Sequence, residues 1–176
     1  MSEPNGNRRI DRILDPSYVR GLEDLSLDDL RARRDECLAE REYLSLLRRL
    51  VQGRAEILRA EIERRGAGAD DEPLVERLSS ILATEGHSPS RGEAVRVGVP
   101  EDELLQARRR VERLVADAGL SDPGALDDAR LGAAVEALAN EEHEVSRART
   151  RVIEALDVVQ DELKRRYKQD PSLVLS

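Results

Sequence analysis

The sequence predicts an all-α protein: a long antiparallel two-helix coiled coil with shorter helices in the connecting region. Three observations carry that prediction. Charged residues make up 38% of the 176-residue chain and aromatic residues 2%, with three Tyr and neither Phe nor Trp. The apolar share is 39%, mostly Leu, Val, Ala and Ile mixed with Glu and Arg, which is the usage of long helices rather than of a sandwich or barrel. Two segments then carry apolar residues at every seventh position, and the two are copies of one pattern offset by 101 residues, as Leu30 is from Leu131.

Residues 1–25 read as an N-terminal arm, with Arg8, Arg9 and Arg12 around Ile10 and Ile13, then Pro16 and a short apolar stretch. The first coiled-coil helix occupies 26–66. Ser26 and Asp29 form a capping box at its start, Leu25 and Leu30 a hydrophobic staple, and Arg64, Arg65 and the Gly66-Ala67-Gly68 stop close it. Its seven-residue series is Leu30, Cys37, Leu44, Val51 and Leu58.

Residues 67–126 connect the long helices. Two shorter helical stretches, at about 72–84 and 101–119, flank a Gly/Pro/Ser-bearing segment expected to be loop or disorder. Leu104, Leu105, Val111, Leu114 and Val115 of the later stretch suit packing on the hairpin or on a partner. The second coiled-coil helix occupies 127–170, opening at Asp127 with Leu126 and Leu131 as the staple pair and ending near Lys168 ahead of Pro171. Its series is Leu131, Leu138, Val145, Val152 and Val159, and a tail of 171–176 follows. Each long helix has about 40 residues, roughly 60 Å at 1.5 Å per residue, and their equal length and linkage predict antiparallel pairing.

Under the 101-residue offset, Glu40 meets Glu141, Ser45 meets Ser146, Arg48 meets Arg149, Glu61 meets Glu162, and Arg64-Arg65 meets Arg165-Arg166. Charged matches near helix ends also arise from dipole preference, so the paired Ser and Arg carry more weight.

Function is bounded first by exclusion. The balance of 29 Lys+Arg against 37 Asp+Glu gives a net charge of −8, which opposes direct DNA binding through phosphate neutralisation. The scarcity of aromatic rings removes base-stacking platforms. No run of about 20 apolar residues could span a bilayer, and no signal-peptide pattern opens the chain, so a cytoplasmic protein without membrane attachment is expected. Cys37 stands alone in the heptad series and reads as a small buried hydrophobe. Phosphate-loop, dinucleotide and Ser-nucleophile motifs are absent, so no enzyme is expected. His143 lies among Glu141, Glu142 and Glu144, but Asn140 stands where a di-metal helix motif needs Glu, and no metal site is expected.

The informative feature is a polar gap beside the seam. Four residues after each heptad position come Arg34, Arg41, Arg48, Ala55 and Ile62 on the first helix and Val135, Glu142, Arg149, Leu156 and Leu163 on the second. Antiparallel pairing brings Arg48 to the level of Ser146 and Arg149 to the level of Ser45. One reading is structural: flanking Arg side chains snorkel and pair with Glu, in a ligand-free coiled-coil scaffold or dimerisation protein. The other is an anion site, because a guanidinium holds phosphate, or guanine O6 and N7, bidentately, while a carboxylate accepts from guanine N1 and N2. Glu56 and Asp157 lie eight residues beyond each Arg.

These residues resemble the pattern of the RsiG family, actinobacterial anti-sigma factors that use cyclic di-GMP to hold the sporulation sigma factor WhiG. In that family Glu-x3-Ser-x2-Arg-x3-Gln-x3-Asp recurs on each helix of an antiparallel coiled coil. The first copy here reads Arg41, Ser45, Arg48, Gln52, Glu56 and the second Glu142, Ser146, Arg149, Ile153, Asp157. The likeness extends to RRIDRILDPSYVRGLEDLSLDDL, LLRRLVQGRAEIL and DELKRRYK, so it covers the arm and both long helices but hardly the middle. It implies a regulatory cyclic di-GMP ligand bound as a stacked pair, a WhiG-type sigma factor as partner, and Ser45, Arg48, Gln52, Glu56, Glu142, Ser146, Arg149 and Asp157 as ligand-binding residues. Arg41 and Ile153 depart from the pattern, standing where it has Glu and Gln, and lie outside that set.

Overall fold

In the computed structural model, which describes residues 8–66, 99–117 and 126–174, the first long helix begins where its capping residues place it. The Ser26 hydroxyl accepts from the Asp29 backbone N–H at 3.0 Å and donates to the Asp29 carboxylate at 2.6 Å, satisfying a donor that the first turn leaves open. Helix α1 spans Arg9–Ile13, α2 Leu27–Gly66, α3 Glu101–Asp117 and α4 Asp128–Gln169, with short 3-10 turns at Leu22–Asp24 and Pro171–Val174. At the start of α4 the Asp127 side chain accepts from the Arg130 N–H at 2.8 Å. The described residues are helical throughout their regular structure, as expected, and contain no strand. The expected helix at 72–84 and the segment after it lie outside the described residues.

The chain divides into two units. The first holds residues up to Ser45 and from Val145 onward; the second holds Leu46–Glu144. Within each, a length of α2 runs antiparallel to a length of α4. In the first unit Leu30, Cys37 and Leu44 are buried, as are Val145, Val152 and Val159, with Leu30, Val159, Leu163 and Leu22 in one cluster. In the second unit Val51 and Leu58, and Leu131 and Leu138, are buried in the same manner. Every heptad position is thus inside, because a seven-residue apolar repeat keeps one stripe of each helix against its partner.

The N-terminal arm is folded onto the first unit rather than extended. Ile13, Tyr18 and Leu22 are buried. The Tyr18 hydroxyl lies 3.0 Å from both the Arg33 carbonyl and the Glu36 carboxylate, Arg33 donates back to the Tyr18 carbonyl, and its guanidinium stacks over the Tyr18 ring at 5.1 Å. Arg9 pairs with the buried Glu40 at 2.6 Å, and Arg12 with Glu36. Cys37 is fully buried and donates weakly to the Tyr18 oxygen at 3.7 Å; burial pushes both the thiol and the phenol up. Its expected role as a small buried side chain holds. Gly21 takes the left-handed conformation that turns the arm into the 3-10 segment.

In the second unit α3 lies along the coiled coil. Ala107 and Val111 are buried, and Arg110 pairs with Glu141 at 2.7 Å. Leu104 and Leu114 are half-buried, while Leu105 faces outward at 44% exposure. Part of the predicted apolar set therefore packs on the hairpin.

The helix ends repeat one device. Arg65 donates to the Leu126 carbonyl at 2.6 Å and to Asp128 at 2.9 Å, while Glu61 fixes Arg64 and Arg65 from one turn back. Arg166 donates to the Leu25 carbonyl at 2.6 Å and to the Leu22 carbonyl at 2.8 Å, with Glu162 fixing Arg165 and Arg166. These are the same residues under the 101-residue offset, so the charged identities at the helix ends are shared architecture, beyond dipole preference.

Both carboxylates respond to their partners. Hydrogen bonds from Arg64 and then Arg65 hold Glu61 down at about 2, and Arg165 and Arg166 do the same for Glu162, also at about 2. A carboxylate depressed from 4.5 in this way stabilises the folded state above the unfolded value, and that contribution is lost as pH falls toward 2. Its size is on the order of 2 kcal/mol for each group. Acid titration followed by circular dichroism is expected to show stability falling between about pH 4.5 and pH 2, with Glu61→Gln plus Glu162→Gln flattening that decline. An unchanged acid profile in the double variant refutes the assignment.

Candidate functional site

The residues of the polar gap sit at the edge of the seam. Arg41, Arg48, Glu142 and Arg149 are all half-buried, whereas Ala55, Leu156 and Leu163 at equivalent seam positions are inside. A guanidinium cannot leave water without a partner, so the helices keep these heads at the edge while the stems cover the core.

In the first unit the Ser45 hydroxyl donates to the Arg41 carbonyl at 2.7 Å and accepts from Arg149 Nε at 2.8 Å. The short side chain thereby orients the guanidinium of the other helix. Arg149 forms no ion pair among the described residues, and Arg41 turns to Glu42 at 2.8 Å. Ile153 is half-buried, and Asp157 is exposed with no hydrogen bond or ion pair among the described residues.

In the second unit Gln52 Nε2 donates to Glu142 Oε1 at 3.2 Å, and Arg48 Nη1 faces the same oxygen at 3.6 Å. The Arg48 side chain stays 43% exposed and that of Glu142 26%, so this contact is a loose, solvent-reached pair. Glu56 is half-buried and makes no hydrogen bond or ion pair among the described residues. Each unit accordingly joins motif residues from both helices: Ser45 with Arg149 in one, and Arg48 and Gln52 with Glu142 in the other. Glu56 and Asp157 are not joined to these groups among the described residues. His143 is exposed, its Nδ1 2.8 Å from the Ala139 carbonyl of its own helix.

Inspection of the long helices alone missed how far the repeat extends. Arg8-Arg9-Ile10-Asp11-Arg12-Ile13-Leu14 matches Arg109-Arg110-Val111-Glu112-Arg113-Leu114-Val115 at the same 101-residue offset. The contacts agree: Arg9 pairs with Glu40, and their counterparts Arg110 and Glu141 pair likewise. The arm helix and α3 are therefore one element used twice, each clamped by Arg to a Glu of a long helix. Extending the offset search past the heptads would have found it.

A family model described as RsiG-like matches residues 16–82. That segment of the chain is RsiG-like. The match covers less than half of the chain and holds the arm from Pro16, all of α2 and the whole first motif copy. The second copy lies beyond the matched residues, and its kinship rests on the offset and on the contacts above. No curated protein matches the chain. The RsiG-like family is one of regulatory anti-sigma factors rather than enzymes. Among the described residues no helix is long and apolar enough to cross a membrane.

Proposed function

We propose that this RsiG-like chain is an anti-sigma factor that binds cyclic di-GMP at the twin motifs and, so loaded, sequesters a WhiG-type sigma factor. The observation that carries the reading is the pairing of motif residues across the two helices in each unit. Ser45 aims Arg149, and Glu142 gathers Arg48 and Gln52. Guanidinium groups supply donors for phosphate oxygens and for guanine O6 and N7, and Glu142 supplies an acceptor for guanine N1 and N2. A cyclic dinucleotide offers both kinds of group.

Control of transcription then runs through the partner, since the acidic chain has little with which to hold DNA itself. The arm and the outer helix faces are the proposed contact surfaces. In the first unit Ile13, Leu14, Pro16 and Val19 of the arm line an open groove with Ala155 and Val158 of α4, and Val158 is 46% exposed. If the sigma factor prefers the loaded form, it must tighten nucleotide binding by the same factor.

Calorimetric titration with cyclic di-GMP, followed by a pull-down of WhiG-type sigma factor with and without nucleotide, tests the reading. Saturable binding and nucleotide-dependent capture are expected. A melting temperature indifferent to nucleotide would instead identify a ligand-free scaffold, and failed capture at saturating nucleotide would end the anti-sigma assignment.

A further inference from the structure

The groove between the arm and α4 lies wholly within the first unit and has the shape of a seat for a partner's side chains. It encloses about 270 Å³, below the range of about 300–1,000 Å³ usual for small-molecule pockets, and is open to solvent. Leu14 and Val19 of the arm and Ala155 and Val158 of α4 give it an aliphatic floor. Three large apolar side chains are exposed among the described residues; Val158, at 46%, is the most exposed of them and the one that belongs to this unit. A single exposed Val is ordinary on a protein surface, but this one continues an uncovered apolar groove.

Charge decides what covers it. Asp15, Arg151 and Glu154 are the charged residues that line the groove. The Ser17 hydroxyl and N–H donate to the Asp15 carboxylate at 2.6 and 2.8 Å, and Arg20 offsets part of its charge. Arg151 turns its guanidinium to the Leu14 carbonyl at 3.4 Å. Glu154 is exposed and makes no hydrogen bond or ion pair among the described residues. It stands one helical turn before Val158 on the same face of α4, so a free carboxylate borders the exposed apolar side chain. Under the 101-residue offset Glu154, Ala155 and Val158 meet Gly53, Arg54 and the half-buried Ile57, so this acidic edge belongs to the first unit and not to the repeated scaffold. We propose that the groove receives an apolar side chain of the sigma factor flanked by Lys or Arg. Such a segment comes from the promoter-facing surface of the partner, which is basic because it neutralises DNA phosphates.

This inference rests on the anti-sigma reading and is tested by calorimetric titration of a WhiG-type sigma factor onto the full chain saturated with cyclic di-GMP. Val158→Lys and Val158→Asp remove the same apolar surface with opposite charge, so a basic occupant separates them. The Lys variant is expected to bind the sigma factor about a hundredfold more weakly than the unaltered chain, and the Asp variant no more than about tenfold more weakly. Glu154→Lys is expected to cost about tenfold by the same repulsion. All three should keep the melting temperature and, without sigma factor, the cyclic di-GMP affinity of the unaltered chain, since neither side chain is buried or belongs to the twin motifs. Heparin, a polyanion that covers DNA-binding surfaces, is expected to displace the sigma factor. Sigma binding by all three variants within about twofold of the unaltered chain, an Asp variant weaker than the Lys variant, or binding indifferent to heparin each overturns the inference and leaves the anti-sigma reading intact. Self-association of the unaltered chain in sedimentation, abolished by Val158→Lys, makes a second copy the occupant and also overturns it. Failure of the unaltered, nucleotide-saturated chain to bind sigma factor overturns both.

Discussion

On the proposed reading, Arg149→Ala and Arg48→Ala are each expected to lower cyclic di-GMP affinity by about ten- to hundredfold, the value of one bidentate, charge-assisted contact. The physical ground differs between them. Arg149 is held by the Ser45 hydroxyl at 2.8 Å and has no carboxylate partner among the described residues, so its charge is available to an anion in a preset orientation. Arg48 is more exposed and faces Glu142 at 3.6 Å, a contact loose enough for ligand to rearrange. Neither loss should unfold the helices, because both heads lie outside the buried stripe and Ala has the highest helix propensity. Ser45→Ala serves as the companion variant: it keeps every charge but frees Arg149 to sample other rotamers, so a smaller loss is expected. Titration calorimetry with parallel thermal melts decides the matter, and normal binding by both Arg variants removes the site.

Leu30→Ala is expected to destabilise the first unit by about 2–5 kcal/mol, the range for a fully buried Leu whose cavity cannot close. Leu30 has no exposed surface and sits against Leu22 of the arm and Val159 and Leu163 of α4, with Leu25, Leu27 and Tyr167 at the margin. Three separate chain segments therefore lose contacts at once. Leu105→Ala is the matched control, since its side chain on α3 is 44% exposed and a surface change of this kind costs within about 0.5 kcal/mol. Chemical denaturation measures both. Equal midpoints for the two variants would show that the arm cluster does not contribute to folding.

The sequence by itself determined the helices and their seam. Helix starts at Ser26 and Asp127, the stops, and the inward-facing heptads are matters of local chemistry: a cap bonds three residues on, and an apolar stripe repeats every seven. The motif residues were legible for the same reason, being regularly spaced along one helix and copied at one offset. Tertiary structure alone decided what those residues do to one another. That Arg65 and Arg166 close on the Leu126 and Leu25 carbonyls, that the arm buries Tyr18 over Cys37, and that Ser45 orients Arg149 while Glu142 collects Gln52 all join groups distant in the chain. Spacing along a helix says which face a side chain occupies, whereas the partner it meets depends on how a second helix is set against that face.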